Sequence, residues 1–97
     1  MICSVRFLTE AAAEASDALR WYESRRSGLG TEFVEAVDHT VSRIAKNPVA
    51  FPKVRGEVRR AVLSRFPYAV YFRLVGDAVV VLAVLGRQHP ERWQSRA

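Results

Sequence analysis

Two apolar runs, Tyr68 to Val75 and Ala78 to Leu85, flank the dipeptide Gly76-Asp77. This arrangement constrains the fold more than any other feature of the chain. A two-residue connection containing glycine, set between segments rich in valine, leucine and aromatics, reverses the chain tightly and pairs the segments as antiparallel strands. The second run is apolar at every position. A strand without polar alternation has both faces covered, so it is predicted to be central in its sheet, with helices on one face. Val58 to Leu63 reads as a further strand, and Ile2 to Leu8, partly β-branched and aromatic, reads as an N-terminal strand ending at a helix cap, Thr9.

Between these strands the periodicity changes. Ala11, Ala15, Ala18, Leu19 and Tyr22 recur at helical spacing from about Glu10, and Gly28 supplies a stop. Phe33, Val37, Val41 and Ile44 repeat at steps of four, four and three after Gly30-Thr31 and before Asn47-Pro48. The short connection predicts an antiparallel helical pair. Pro48 to Gly56, with two prolines and a glycine, reads as a loop in which Phe51 tucks inward. The order is β-α-α-β-β-β: an α+β fold with a helical hairpin packed on a mostly antiparallel four-stranded sheet. No linker, repeat or low-complexity tract interrupts the 97 residues, and residues 1–97 are read as one domain.

The chain holds 15 basic and 10 acidic residues, a net charge of +5. Residues 1–54 are balanced, whereas residues 55–97 carry eight arginines against Glu57, Asp77 and Glu91, so the excess lies wholly in the strand-rich half. A one-sided basic field attracts nucleic acid or acidic protein. Other chemistries find little support. One cysteine, Cys3, and two distant histidines, His39 and His89, make no metal-ligand set, so no metal or cofactor is expected. Cys3 reads as a small hydrophobe, His39 as solvated, and Glu10, Glu14 and Asp17 as a solvated helix face. The N-terminal residues lack the pattern of a secretory signal, the longest apolar run is far below the ~20 residues of a membrane span, and a reducing cytoplasm is expected. What remains is a basic constellation: Arg59-Arg60, Arg65 before Phe66-Pro67-Tyr68, and Arg87, His89, Arg92 and Trp93 beyond the last strand.

In this order the sequence words resemble the RelE/ParE superfamily of bacterial toxins, on the side of the ParE branch and its plasmid-stabilisation relatives. The resemblance covers residues 5 to 93. It rests on Trp21-Tyr22-Glu23, Leu29-Gly30 with Phe33, Pro48 with Phe51-Pro52, Arg59-Arg60, Arg65 through Phe72, Val79-Val80-Val81, and Arg87, Pro90, Arg92 and Trp93. It implies the toxin of a type II toxin–antitoxin module, neutralised by an antitoxin with an acidic, partly disordered C-terminal segment, with Arg59, Arg60 and Arg65 as antitoxin contacts. RelE-like members cleave messenger RNA on the ribosome, whereas ParE-like members poison DNA gyrase. The RelE-like pattern has an arginine where this chain has Ala69, and a tail tyrosine where it has Trp93. The departures favour a gyrase inhibitor with no catalytic residues, contacting its target through Arg87, His89, Arg92 and Trp93. In the alternative nuclease, Arg60, Arg87 and His89 are the catalytic set; a non-toxic basic module binding nucleic acid or a partner is the third reading.

Overall fold

A computed structural model describes residues 3–86 and 92–96. Its elements are β1 (Ser4–Phe7), α1 (Thr9–Arg25), α2 (Leu29–Lys46), β2 (Lys53–Arg55), β3 (Val58–Val62), β4 (Tyr68–Val75) and β5 (Ala78–Gly86). A short 3-10 turn, Pro48–Ala50, follows α2, and a 3-10 helix, Arg92–Arg96, closes the described chain. The α+β reading holds, with one more strand than expected: the sheet is five-stranded, in the order β1-β5-β4-β3-β2. β2 lies in the segment read as a loop and pairs antiparallel with β3 through Lys53↔Arg59 and Arg55↔Val58. It is three residues long and sits at the sheet edge, where the neighbouring Pro52 removes no ladder hydrogen bond. Among the described strands only β1 is parallel, pairing with β5 from Ser4↔Ala78 to Phe7↔Val81.

Helix ends differ from expectation by a few residues. Leu8, not Thr9, is the N-cap of α1, and no side chain caps it. Gly28 is not the stop of α1 but the N-cap of α2, at φ 89°, a left-handed conformation that favours glycine. The α2 start is held by a carboxylate from the other helix. Glu23 accepts the N–H groups of Gly28 at 3.0 Å and of Gly30 at 2.9 Å, satisfying donors that a helix start leaves without partners. Gly30 is required by contact rather than by dihedral: a Cβ there would lie 2.9 Å from the Leu19 carbonyl oxygen and 2.9 Å from Glu23 Oε1.

β5 is central, as its unbroken apolar run predicts, and both faces are covered. The helices cover one face, where Phe33, Ile44, Val70, Phe72, Val79, Val81 and Val84 form the main core. The other face gathers Val58, Ala69, Tyr71, Leu82, Ala83 and Leu85 beneath Trp93. Opposite β4, Tyr71 pairs with Ala83 and Phe72 with Val81, so Leu82 is an extra residue, a β-bulge. The bulge reverses the alternation: Val79 and Val81 face the helices before it, and Val84 faces them after it.

Candidate functional site

The motif words converge on the turn between β3 and β4. Tyr22 of α1, Phe33 of α2, Phe66 of the turn and Tyr68 at the start of β4 form an aromatic box, with Tyr22 stacked on Phe33 at 5.2 Å and edge-on to Phe66 at 4.9 Å. Phe33 meets Phe66 and Tyr68 at 5.3 and 5.2 Å. Burial raises the phenol pKa of both Tyr22 and Tyr68, and in Tyr22 the neighbouring Tyr68 adds to the effect. Arg65 lies in this turn at φ 75°, an uncommon conformation for a side-chain-bearing residue. Its guanidinium is hydrogen-bonded to Glu32, which also takes Arg26 at 3.2 Å. The Arg65 hydrogen bond holds the Glu32 carboxyl below the ordinary glutamate value.

Two adjoining grooves meet at Pro67 and Tyr68. The first groove, about 480 Å³, has as one wall a stripe of α1, namely Glu14, Asp17, Ala18, Trp21 and Tyr22, and as the other the end of β5. The second, about 620 Å³, is bounded by Arg60, Val62, Arg65, Ala69 and Tyr71. Both grooves share Pro67, Tyr68, Leu85 and Gly86. Among the described lining residues, the charged groups of the first are carboxylates and those of the second are guanidiniums.

The sequence-predicted residues divide between these features. Arg60 and Arg65 line the second groove. Arg59 points to the opposite face of the sheet, where its Nη1 donates to the Phe51 carbonyl at 2.6 Å, fixing the segment after α2 rather than facing the groove. Arg87 and His89 lie outside the described residues, as does the side chain of Arg92. Trp93 is 5% exposed and stacked on Tyr71 at 5.7 Å, so in this conformation it is a packing anchor and not a surface contact. An apolar sheet face that the helices do not reach needs such a cover.

The solvated-face reading fails at Glu14, whose side chain is only 12% exposed. Its Oε1 accepts the Val84 N–H at 3.1 Å and Arg96 at 2.9 Å, and Arg96 also donates to the Leu82 carbonyl at 3.1 Å. β1 stops pairing at Val81, and this ion pair takes up edge groups of β5 beyond it. The Glu14 carboxylate holds the Arg96 guanidinium above its ordinary pKa. Oε2 lies 2.9 Å from Arg96 Nη2, completing a two-point ion pair. Asp17, by contrast, is exposed and paired with Arg20, three residues along the helix. Trp21, half exposed at 51%, also lines the first groove; its signal in the sequence is the stripe 14, 17, 18, 21, which mixes acids with an indole.

No protein-family model matches the sequence, and no curated protein matches it. Solved structures do. A chain of the chromosomal ParDE toxin–antitoxin system of P. aeruginosa is 20% identical, with a TM-score of 0.75 over 88% of this chain and 96% of that one. A chain of the RelBE2 toxin–antitoxin complex of Mycobacterium tuberculosis is 17% identical, with a TM-score of 0.64 over 90% and 100%. A mutant of the E. coli toxin RelE in its free state is 17% identical, with a TM-score of 0.60 over 100% and 95%. The chain therefore shares the fold of these three structures. The TM-score is higher with the ParDE chain than with the other two.

Proposed function

We propose that this chain is the toxin of a type II toxin–antitoxin module, restrained by an antitoxin, and that the free toxin arrests growth in the cytoplasm by poisoning DNA gyrase, as ParE-like members do. The toxin reading is carried by a fold match that spans nearly the whole of each toxin–antitoxin chain compared. An acidic antitoxin segment suits the second groove, where Arg60 and Arg65 stand beside exposed Val62. Arg59, engaged with the Phe51 carbonyl, supports that surface from behind.

Gyrase inhibition is favoured over messenger cleavage by the chemistry of the same groove. Its described titratable residues are Arg60, Arg65, Tyr68 and Tyr71. Arginine stays protonated, Tyr68 is shifted away from neutrality, and Tyr71 is buried under Trp93. Cleavage through a 2′-hydroxyl needs a proton acceptor and a donor operating near neutral pH. His89 is the titratable side chain nearest to that role in the sequence, so a nuclease would rest on His89 with Arg60 and Arg87.

The test is induced expression with and without the neighbouring gene. Filamenting cells, trapped gyrase–DNA complexes and intact messenger are expected, with growth restored by the neighbour. His89→Ala should leave arrest intact, while charge reversal at Arg87 and Arg92 weakens it. Rapid messenger cleavage that His89→Ala abolishes would establish the nuclease instead, and normal growth without the neighbour would sink the toxin reading.

A further inference from the structure

An open strand edge is a template for pairing with another chain, and charges or short strands at an edge oppose this. β2 is three residues long and carries Lys53 and Arg55, and β1 carries exposed Arg6. A third stretch of edge belongs to β5. The Leu8 N–H donates to the Val81 carbonyl at 3.0 Å, and the chain then turns into α1. From Leu82 to Gly86, the side of β5 that faced β1 has no strand beside it among the described residues. The bulge at Leu82 aims the Leu82 carbonyl and the Val84 N–H toward that side. By strand alternation the Val84 carbonyl and the Gly86 N–H point the same way. Val79 to Gly86 holds no charge and no proline, the composition that pairs most readily with a copy of itself.

Two side chains stand where a continued β1 would lie. Glu14 of α1 accepts the Val84 N–H at 3.1 Å, and Arg96 of the closing 3-10 helix donates to the Leu82 carbonyl at 3.1 Å. One acceptor and one donor at these positions reproduce what a neighbouring strand supplies. The two are joined to each other at 2.9 Å, and their side chains are only 12% and 15% exposed, so the pair is set into the edge. Trp93, stacked on Tyr71, fastens the other end of the same 3-10 helix to the sheet face.

We propose that Glu14 and Arg96 are a strand substitute that closes the β5 edge against a second copy of this chain. A second copy is the occupant that the bare edge fits, because the edge is self-complementary about Val84. In an antiparallel two-fold pairing, Val84 exchanges both hydrogen bonds with its counterpart, and the Leu82 carbonyl of each copy meets the Gly86 N–H of the other. Two five-stranded sheets would then run on as one. Such pairing in the wild-type chain would force both charges out of their contacts at a strand interface, and this cost keeps the edge closed. The inference does not depend on the toxin reading.

The test is analytical ultracentrifugation of the full chain over a concentration series, with exchange of the Val84 amide followed by NMR. In wild type, Val84 should exchange slowly at every concentration. Glu14→Ala/Arg96→Ala bares both backbone groups without stranding a charge, and it should gain an association step that wild type lacks. In dilute samples of this variant Val84 should exchange at least ~10-fold faster than in wild type, and in concentrated samples it should become slow again. Glu14→Gln keeps an acceptor for the Val84 N–H and should associate no more than wild type. Asp17→Ala/Arg20→Ala, which removes an exposed ion pair of the same helix, should behave likewise. If the alanine pair does not fold, Glu14→Leu/Arg96→Met keeps the apolar bulk and carries the same expectations. A folded double variant that associates no more than wild type, or that associates while Val84 stays fast, would overturn the proposal, and so would equal association of the Asp17→Ala/Arg20→Ala control.

Discussion

Gly30→Ala should unfold this protein at a markedly lower temperature, against the helix propensity of the substitution. In an isolated helix, alanine is favoured over glycine by about 1 kcal/mol. Here the new Cβ would sit 2.9 Å from the Leu19 carbonyl oxygen, which is backbone and yields only if α1 and α2 separate. Overpacking of this kind costs about 1–3 kcal/mol. The same Cβ displaces Glu23, 2.9 Å from Oε1 and 3.1 Å from its Cβ, and so breaks the carboxylate cap on Gly28 and Gly30. Losing hydrogen bonds to a charged group costs about a further 1.5–3 kcal/mol. After the propensity gain the net loss is about 3 kcal/mol, which for a domain of this size lowers Tm by about 12–24 °C. Gly28→Ala is the control, because nothing lies within 4 Å of its Cβ and only the left-handed φ of 89° opposes it. Its cost should be about 1–2 kcal/mol. Thermal melts by circular dichroism, with Glu23→Ala and the Glu23→Ala/Gly30→Ala pair completing a cycle, separate clash from cap: the double variant should lose less than the sum. A Gly30→Ala Tm at or above wild type, or costs that add, would refute the reasoning.

Arg96→Ala should cost about 2–4 kcal/mol by leaving the largely buried Glu14 carboxylate uncompensated, while a Glu14→Gln/Arg96→Met pair should recover most of that loss; urea unfolding measures both. Glu32 titrates below the ordinary value of 4.5 in the folded chain, so its contribution is present above that pH and is lost as pH falls through the lowered value. Glu32→Gln should flatten that part of an acid-stability curve. Tyr22 and Tyr68 have the reverse sign: their raised pKa values mean stability that is complete below the ordinary 10.0 and lost as pH rises through the folded values, and Tyr22→Phe should reduce this alkaline loss in melts taken across that range. In iodide quenching, Trp21 should be accessible and Trp93 protected, so Trp21→Phe should remove most of the quenchable emission; strong quenching retained in that variant would contradict the stacking of Trp93 on Tyr71.

The sequence by itself determined the elements whose cause is local. Glycine and aspartate between two apolar runs define the β4–β5 hairpin, and four apolar residues at helical spacing define α2 and its buried stripe. It also determined which half of the chain is basic and which side chains are available to a groove. Tertiary structure decided the rest, because each remaining feature depends on partners distant in the chain. β2 exists only because β3 offers it an edge, and three residues after a proline carry no strand signal of their own. The bulge at Leu82 reverses which residues of β5 face the helices, and no alternation shows this in a run apolar throughout. Glu14 sits on a helix whose other acids are exposed, and only the edge of β5 left vacant by β1, together with Arg96 arriving from 82 residues away, makes it a largely buried ion pair. Trp93 likewise reads as an exposed aromatic among arginines, and the uncovered face around Tyr71 is what draws it inward. Hydrophobic period and turn chemistry act between neighbours in sequence and are legible there, whereas edge satisfaction and face coverage are settled only when the whole sheet is assembled.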